Sequence, residues 1–304
     1  MAVSRINEAG LNVNQYGNRN LIINGAMRVA QRATSKTGIT NGDSGYHTVD
    51  RFKFTEAGSP TYQFTMSQST TSPDGFGHSL KMDCTTAQSS LAAGDGARLD
   101  YYVEAQDCQN FAYGTSSAKQ LTLSFWVRSN KTGSYRIWFY QNDDGRSNAG
   151  SYTIDAANTW EHKSITIAGD TTGIIDNDTG RGLLVSFALA VGTNFTSGTM
   201  PTAWEANVTA NRFVGQTVNL ADSTSNEWYM TGVQLEVGDT ATDFEHRTFA
   251  DELRRCQRYF ERRGTDTNGW EFIADAGQLT AATSYQLAVR FNEQMRTTPT
   301  LSRT

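Results

Sequence analysis

The sequence predicts an all-β fold, a jelly-roll β-sandwich with a short N-terminal arm and one amphipathic α-helix near the C-terminus. Three observations lead there. Threonine supplies 39 of 304 residues, while charged residues reach only 19% and proline occurs four times. β-branched residues favour strands, and so charge-poor a chain is ill suited to long solvated helices. Short apolar runs with period-two alternation recur along the chain, separated by clusters of Gly, Asn, Asp and Ser that make turns. No internal repeat is present, which disfavours a solenoid or propeller.

Residues 1–19 are polar, with Ile6, Leu11 and Val13 as isolated apolar side chains. Such an arm cannot close a core alone and is expected to gain order against a partner surface. From Asn20 the texture changes. NLIING at 20–25 leads the chain in, with Asn24-Gly25 suited to a tight turn. VDRFKF (49–54), TYQFTM (61–66) and ARLDYYV (97–103) read as short strands.

The clearest strands are QLTLSFWVR at 120–128 and SYRIWFY at 134–140. In the first, Leu121, Leu123, Phe125 and Val127 share one face, and Thr122, Ser124, Trp126 and Arg128 the other. In the second, Tyr135, Ile137 and Phe139 oppose Arg136, Trp138 and Tyr140. The linker SNKTG has hairpin length and a glycine for positive φ, so the two are expected to pair. Further strands are predicted at 159–167, 182–190 and 227–237, where Val233, Leu235 and Val237 point one way. QNDDGRSNAG and IIDNDTGRG read as turn-dense loops.

A helix is predicted over 248–263. Phe249, Leu253, Cys256 and Phe260 form one apolar stripe, Thr248 and Asp251 imitate a capping box, and Gly264 stands where a C-cap glycine belongs. Asp251 and Arg255 have ion-pair spacing. Residues 264–304 return to strand texture in GWEFIADAG and SYQLAVRF. Too short for a comfortable sandwich of their own, they are expected to be a partial domain, cut short or completed by neighbouring subunits. The predicted organisation is an arm at 1–19, a jelly roll at 20–247, a helix at 248–263 and a β segment at 264–304.

Three segments carry a resemblance that composition does not supply. They are NLIINGAMRVAQRATS with YHTVDRFKF (20–54), LTLSFWVRSNKTGSYRIWF through YTIDAANTWEHKSITIAGDTTG (121–173), and YMTGVQLEVGDTATDFEHRTFADELRRCQRYFER (229–262). Together they resemble a family of bacteriophage virion proteins, mostly tail fibre or appendage proteins, whose main domain is a jelly roll similar to carbohydrate-binding modules. GVQLE, FEHR and CQRYF in that order are the most specific part. The resemblance implies a non-enzymatic structural protein, a homotrimer anchored to other virion proteins through residues 1–19 and assembled in the bacterial host cytoplasm. Its place would be the tail appendage. A head fibre or decoration protein, and a glycan-depolymerising tail enzyme, are the alternatives.

The residues themselves exclude several function classes. Lys and Arg number 26 against 31 Asp and Glu, a net charge of −5, which argues against broad nucleic-acid binding. No run approaches the ~18 apolar residues of a membrane span, and the N-terminus has no apolar signal region, so neither membrane insertion nor secretion is expected. Cys84, Cys108 and Cys256 are too scattered for a disulfide framework or a zinc site. Cys84 and Cys256 lie on apolar stripes and are read as buried fillers.

No nucleophile elbow, HExxH or phosphate loop is present, and His47, His78, His162 and His246 have no metal-ligand spacing, so no catalytic residue, metal or cofactor is assigned. Asn142–Gly145 and Asp176–Asp178 concentrate oxygen donors in loops without EF-hand spacing and read as solvated turns. Arg254, Arg255, Arg258, Arg262 and Arg263 are interleaved with Asp251, Glu252 and Glu261, an ion-pair face rather than a nucleic-acid patch. The candidate carbohydrate-binding residues are Trp126, Trp138 and Tyr140, expected to share an exposed face opposite the apolar stripe. Flat aromatic rings there can stack on the apolar C–H faces of a host surface glycan. The competing expectation is that a sister subunit covers that face.

Overall fold

The computed structural model describes residues 18–264, 276–281, 284–288 and 290–301. The arm at 1–19 therefore lies outside the described residues except for Asn18 and Arg19, as does most of GWEFIADAG.

Among the described residues, twelve antiparallel strands build two six-stranded sheets. The first runs in space β1 (Ser35–Ile39), β3 (Gln63–Ser69), β4 (Ser79–Thr86), β12 (Glu227–Val237), β6 (Leu121–Ser129) and β9 (Glu161–Ile167). The second runs β11 (Glu205–Ala206), β8 (Arg146–Ile154), β7 (Gly133–Gln141), β10 (Arg181–Val191), β5 (Gly96–Glu104) and β2 (Phe52–Ala57). The chain passes repeatedly from one sheet to the other, which makes the fold a jelly-roll β-sandwich. A separate hairpin, β13 (Ala276–Ala281) with β14 (Ser284–Ala288), follows the helix, so SYQLAVRF does start a strand.

Alternate residues of each strand fill the space between the sheets. Leu121, Leu123, Phe125 and Val127 of β6 face Tyr135, Ile137 and Phe139 of β7 across the core, all buried, with Trp228, Phe187, Tyr101 and Phe52 among them. Phe125 meets Phe187 and Tyr152 edge-on, with ring centroids 5.3 and 5.1 Å apart. Both face assignments read from the alternation hold.

Their pairing does not. β6 and β7 lie in different sheets, so SNKTG is a crossover between layers and not a hairpin turn. Both strands present an apolar stripe to the same core, which a hairpin and a sandwich crossover satisfy equally. β7 pairs instead with β8, whose first residues fall inside QNDDGRSNAG. The polar texture of that segment hides a strand because Ser147, Asn148 and Gly150 are buried where little room remains. A Cβ on Gly150 would stand 2.8 Å from Ile165 Cγ2. The turn is only Asn142–Gly145, with Gly145 at φ +65° donating to the Gln141 carbonyl at 3.1 Å.

Strand β12 carries the other deviation. Its core residues are Trp228 and Met230, then Val233 and Leu235, so the facing parity changes within the strand. The change falls at a bulge between Thr231 and Gln234, where Gly232 adopts φ +61°. One extra residue flips every later side chain to the opposite face. NLIING plugs this irregularity: Val233 N–H donates to the Gly25 carbonyl at 3.0 Å and Asn20 Nδ2 to the Val233 carbonyl at 3.1 Å. A Cβ on Gly25 would stand 2.1 Å from the Val233 oxygen, so only glycine fits there.

The helix α1 spans Phe249–Gln257, shorter than expected; Arg258 caps it, and residues 258–263 continue without helix. Gly264 is therefore not its cap. Thr248 does cap the N-terminus, accepting from Asp251 N–H at 3.2 Å. The buried stripe is also rotated: Glu252 and Cys256 face inward, while Phe249 is 46% exposed beneath the Arg28 guanidinium. The reason is a buried carboxylate. Glu252 accepts the Asn24 amide and pairs with Arg247 at 3.0 Å, and those bonds set the helix phase. Asp251 meets Arg254 at 3.9 Å rather than Arg255. All three cysteines are free and buried.

Candidate functional site

The three aromatic residues singled out from sequence do not share a face. Trp126 projects from the outer surface of the first sheet; Trp138 and Tyr140 project from the outer surface of the second. The whole sandwich separates them because β6 and β7 are layers apart.

Trp138 is moreover closed off. It is only 4% exposed, packed with Leu184, Ala188, Phe195 and Phe213 in a secondary apolar cluster. The long connection from β10 to β12 folds back over this sheet and brings Phe195 and Phe213 onto it. Arg212 lies 4.3 Å above the indole, and Tyr140, half-buried, stacks beside it at 5.0 Å. Position 138 therefore serves packing, and the expectation of an exposed sugar platform there is corrected.

Trp126 sits differently. It stands opposite Thr231 of β12 and opposite His162 of β9, with indole and imidazole centroids 5.2 Å apart. The bulge at Gly232 lowers the sheet surface beside it: a Cβ there would meet Phe76 at 2.7 Å and Trp126 at 3.0 Å. The result is a cleft of about 400 Å³ lined by Trp126, His162, Phe76, Phe244, His246, Asp74 and Asp243. Phe76, Phe244 and His246 form a ring cluster with centroids 4.8–5.1 Å apart.

The wall of this cleft comes from FEHR. Phe244 and His246 line the cleft, while Glu245 and Arg247 turn the other way. Glu245 accepts the Asn20 amide at 2.8 Å and the Asn18 amide; Arg247 donates to the Ile22 carbonyl at 3.2 Å. Burial works against the charged form of Glu245, but the amides of Asn20 and Asn18 and the guanidiniums of Arg247 and Arg19 outweigh it. They hold the carboxyl below its ordinary range. The preceding turn is pinned by Glu236, which accepts from the Thr242 amide at 2.9 Å and its hydroxyl at 2.7 Å. The wall is thus held by side-chain hydrogen bonds to two other segments, and a wall held in this way carries a low ordering cost for binding.

Partial burial lowers the His162 imidazole from its ordinary value. Partial burial and the charge of Arg28 do the same for His246. Both rings therefore present a neutral donor and acceptor at neutral pH, beside two carboxylates and an apolar indole. That combination can stack on a ring and bond its hydroxyls.

Of these residues, sequence reasoning singled out Trp126 alone as a ligand contact. His162 and His246 looked isolated because their approach to aromatic neighbours depends on strand pairing and a crossover. Phe76 gave only the weak signal of one aromatic inside the turn-rich run SPDGFG. The two acidic loops do meet, Asp176 N–H donating to Asp143 Oδ2 at 3.0 Å. Among the described residues no group of three His, Cys, Asp or Glu side chains is placed to hold a metal ion. No helix among them is long and apolar enough to cross a membrane.

No family model and no curated protein matches the chain. Solved structures do. The enzymatically active domain of tailspike protein 4 of bacteriophage CBA120 aligns over 72% of this chain at 10% identity and a TM-score of 0.37. The chain spans only 22% of that domain. A family 11 carbohydrate-binding module of Clostridium thermocellum, in complex with a β-1,3-1,4-mixed-linked tetrasaccharide, aligns over 70% of this chain and 99% of its own length. Its identity is 11% and its TM-score 0.32. A Bacteroides thetaiotaomicron protein assigned to sugar binding aligns over 72% of this chain and all of its own, at 12% identity and a TM-score of 0.34. The likeness is one of sandwich architecture.

Proposed function

We propose that this chain is a phage virion appendage protein, a tail fibre, that adheres to a host surface glycan through the Trp126 cleft and does no chemistry on it. One observation carries the glycan reading: a half-buried indole rims a cleft beside two imidazoles and two carboxylates. A pyranose ring offers an apolar C–H face to such an indole, and its hydroxyls suit the surrounding donors and acceptors. The virion reading is supported by the resemblance of GVQLE, FEHR and CQRYF, and these motifs supply part of the bulged strand, the cleft wall and the end of the docked helix.

In this reading residues 1–19 anchor the chain to another virion protein. A homotrimer multiplies a weak single-site affinity, because sites on one particle engage one surface together. Assembly takes place in the host cytoplasm, and the finished protein works on the tail.

The test uses purified full-length chain on host envelope fragments. The expected result is retention without release of soluble oligosaccharide, weakened at least about tenfold by Trp126→Ala, a loss of ~1.4 kcal/mol. Release of sugar would favour the depolymerase reading. Normal incorporation of a chain lacking residues 1–19 into particles would overturn the anchor, and imaging that found the chain on the capsid would favour a head fibre.

A further inference from the structure

The turn before β2 holds Arg51 in an unusual state. Its backbone lies at φ +75°, a left-handed conformation that costs a non-glycine residue roughly 1–2 kcal/mol. Its side chain is 7% exposed and lies between two tyrosine rings, 3.4 Å from the Tyr259 centroid and 5.0 Å from that of Tyr101. One terminal nitrogen donates to the Tyr102 carbonyl, and Nε is buried without a partner.

Arg51 lines a cavity of about 130 Å³ with three more arginines, Arg32, Arg181 and Arg296, and two carboxylates, Asp50 and Glu104. Both carboxylates are already engaged. Glu104 takes a two-pronged bond from Arg258 at 2.6 and 3.0 Å and the Tyr259 hydroxyl at 2.6 Å. Asp50 accepts the Gln31 amide at 3.1 Å and faces Arg32 at 3.7 Å. Among the described residues, Arg51, Arg181 and Arg296 form no ion pair. The tyrosine faces and the Tyr102 carbonyl offset part of the cost of burying the Arg51 guanidinium, and with no carboxylate beside it the remainder favours an anion in the cavity. The cavity has the volume of about four liquid waters, enough for one carboxylate or phosphate group.

We propose that this cavity is a second binding site, for a small oxyanion, and specifically for the carboxylate of an acidic sugar. Arg51 supplies a fixed planar fork, and Arg181, stacked 4.4 Å over Tyr102, closes the rim. The sugar is favoured over a free ion because the cavity shares Arg32, Tyr46, Tyr259, Phe260 and Arg296 with a wider groove of about 720 Å³. Arg51 and Arg32 stack on one face of Tyr259 and of Phe260, and the rest of these rings, with Phe291 and Leu301, gives the groove apolar surface for the ring that carries the acid. The proposal stands apart from the Trp126 cleft and does not need it.

The full-length chain is titrated calorimetrically at constant ionic strength with sodium glucuronate, inorganic phosphate and glucose. Glucuronate is expected to bind saturably and more tightly than phosphate, and glucose not at all. Arg181→Ala, at an exposed side chain that leaves folding intact, is expected to weaken glucuronate at least about fivefold, and Arg51→Met to abolish it. Trp126→Ala is expected to leave it unchanged. Where Arg51→Met does not fold, the Arg181→Ala result decides. No saturable glucuronate binding, equal binding of glucose, or unchanged affinity in Arg181→Ala overturns the site. Phosphate binding as tightly as glucuronate overturns the sugar assignment.

Discussion

Trp126 and Trp138 hold equivalent places in the pleat: each lies on the outward side of a strand whose inward side fills the core. One rims an open cleft, whereas the other is sealed under Phe195, Phe213 and Arg212. Neither strand decides this. The outcome depends on what the connections do, a long one folding over the second sheet while a glycine bulge lowers the surface of the first.

The difference can be broken from either side. Trp138→Ala removes the centre of a packed cluster and is expected to cost about 3–5 kcal/mol in urea unfolding, with little effect on glycan retention. A cost below ~1 kcal/mol would mean that the covering connection is loose. Trp126→Ala is the reverse case, at least about tenfold weaker in envelope retention with unfolding free energy within about 1 kcal/mol of the parent. Gly232→Ala tests the bulge. At φ +61°, with a Cβ 2.7 Å from the Phe76 ring, it is expected to destabilise the chain by about 1–3 kcal/mol and to weaken retention as well.

The smallest effect concerns pH. Both cleft imidazoles titrate below their unfolded value of 6.5. As pH falls through 6.5 the unfolded chain binds protons that the folded chain refuses, so stability declines until the folded values are reached and then levels. Urea midpoints between pH 7.5 and 5 are expected to fall modestly, and His162→Gln with His246→Gln to flatten part of that slope.

The layered fold was legible in the alternation of β6 and β7, because period two reports directly which side chains are buried. Pairing was not legible, since a hairpin and a crossover bury the same stripe. The segment at 146–150 escaped because its buried residues are small and polar. The helix start was marked by Thr248, yet its phase was set by Glu252, a charge that apolar periodicity counts as solvent-facing. Of the cleft, the indole could be suspected from its strand position. Phe76, Phe244 and His162 come from three separate parts of the chain, and only the closed sandwich brings them together.

The most direct test of the account follows the tryptophan indole N–H resonances of the full-length chain during titration with polysaccharide from the host envelope. The Trp126 signal is expected to shift progressively and to saturate while that of Trp138 stays in place. A shift of Trp138 with Trp126 unmoved, or no shift of either at concentrations where the chain is retained on envelopes, would contradict it.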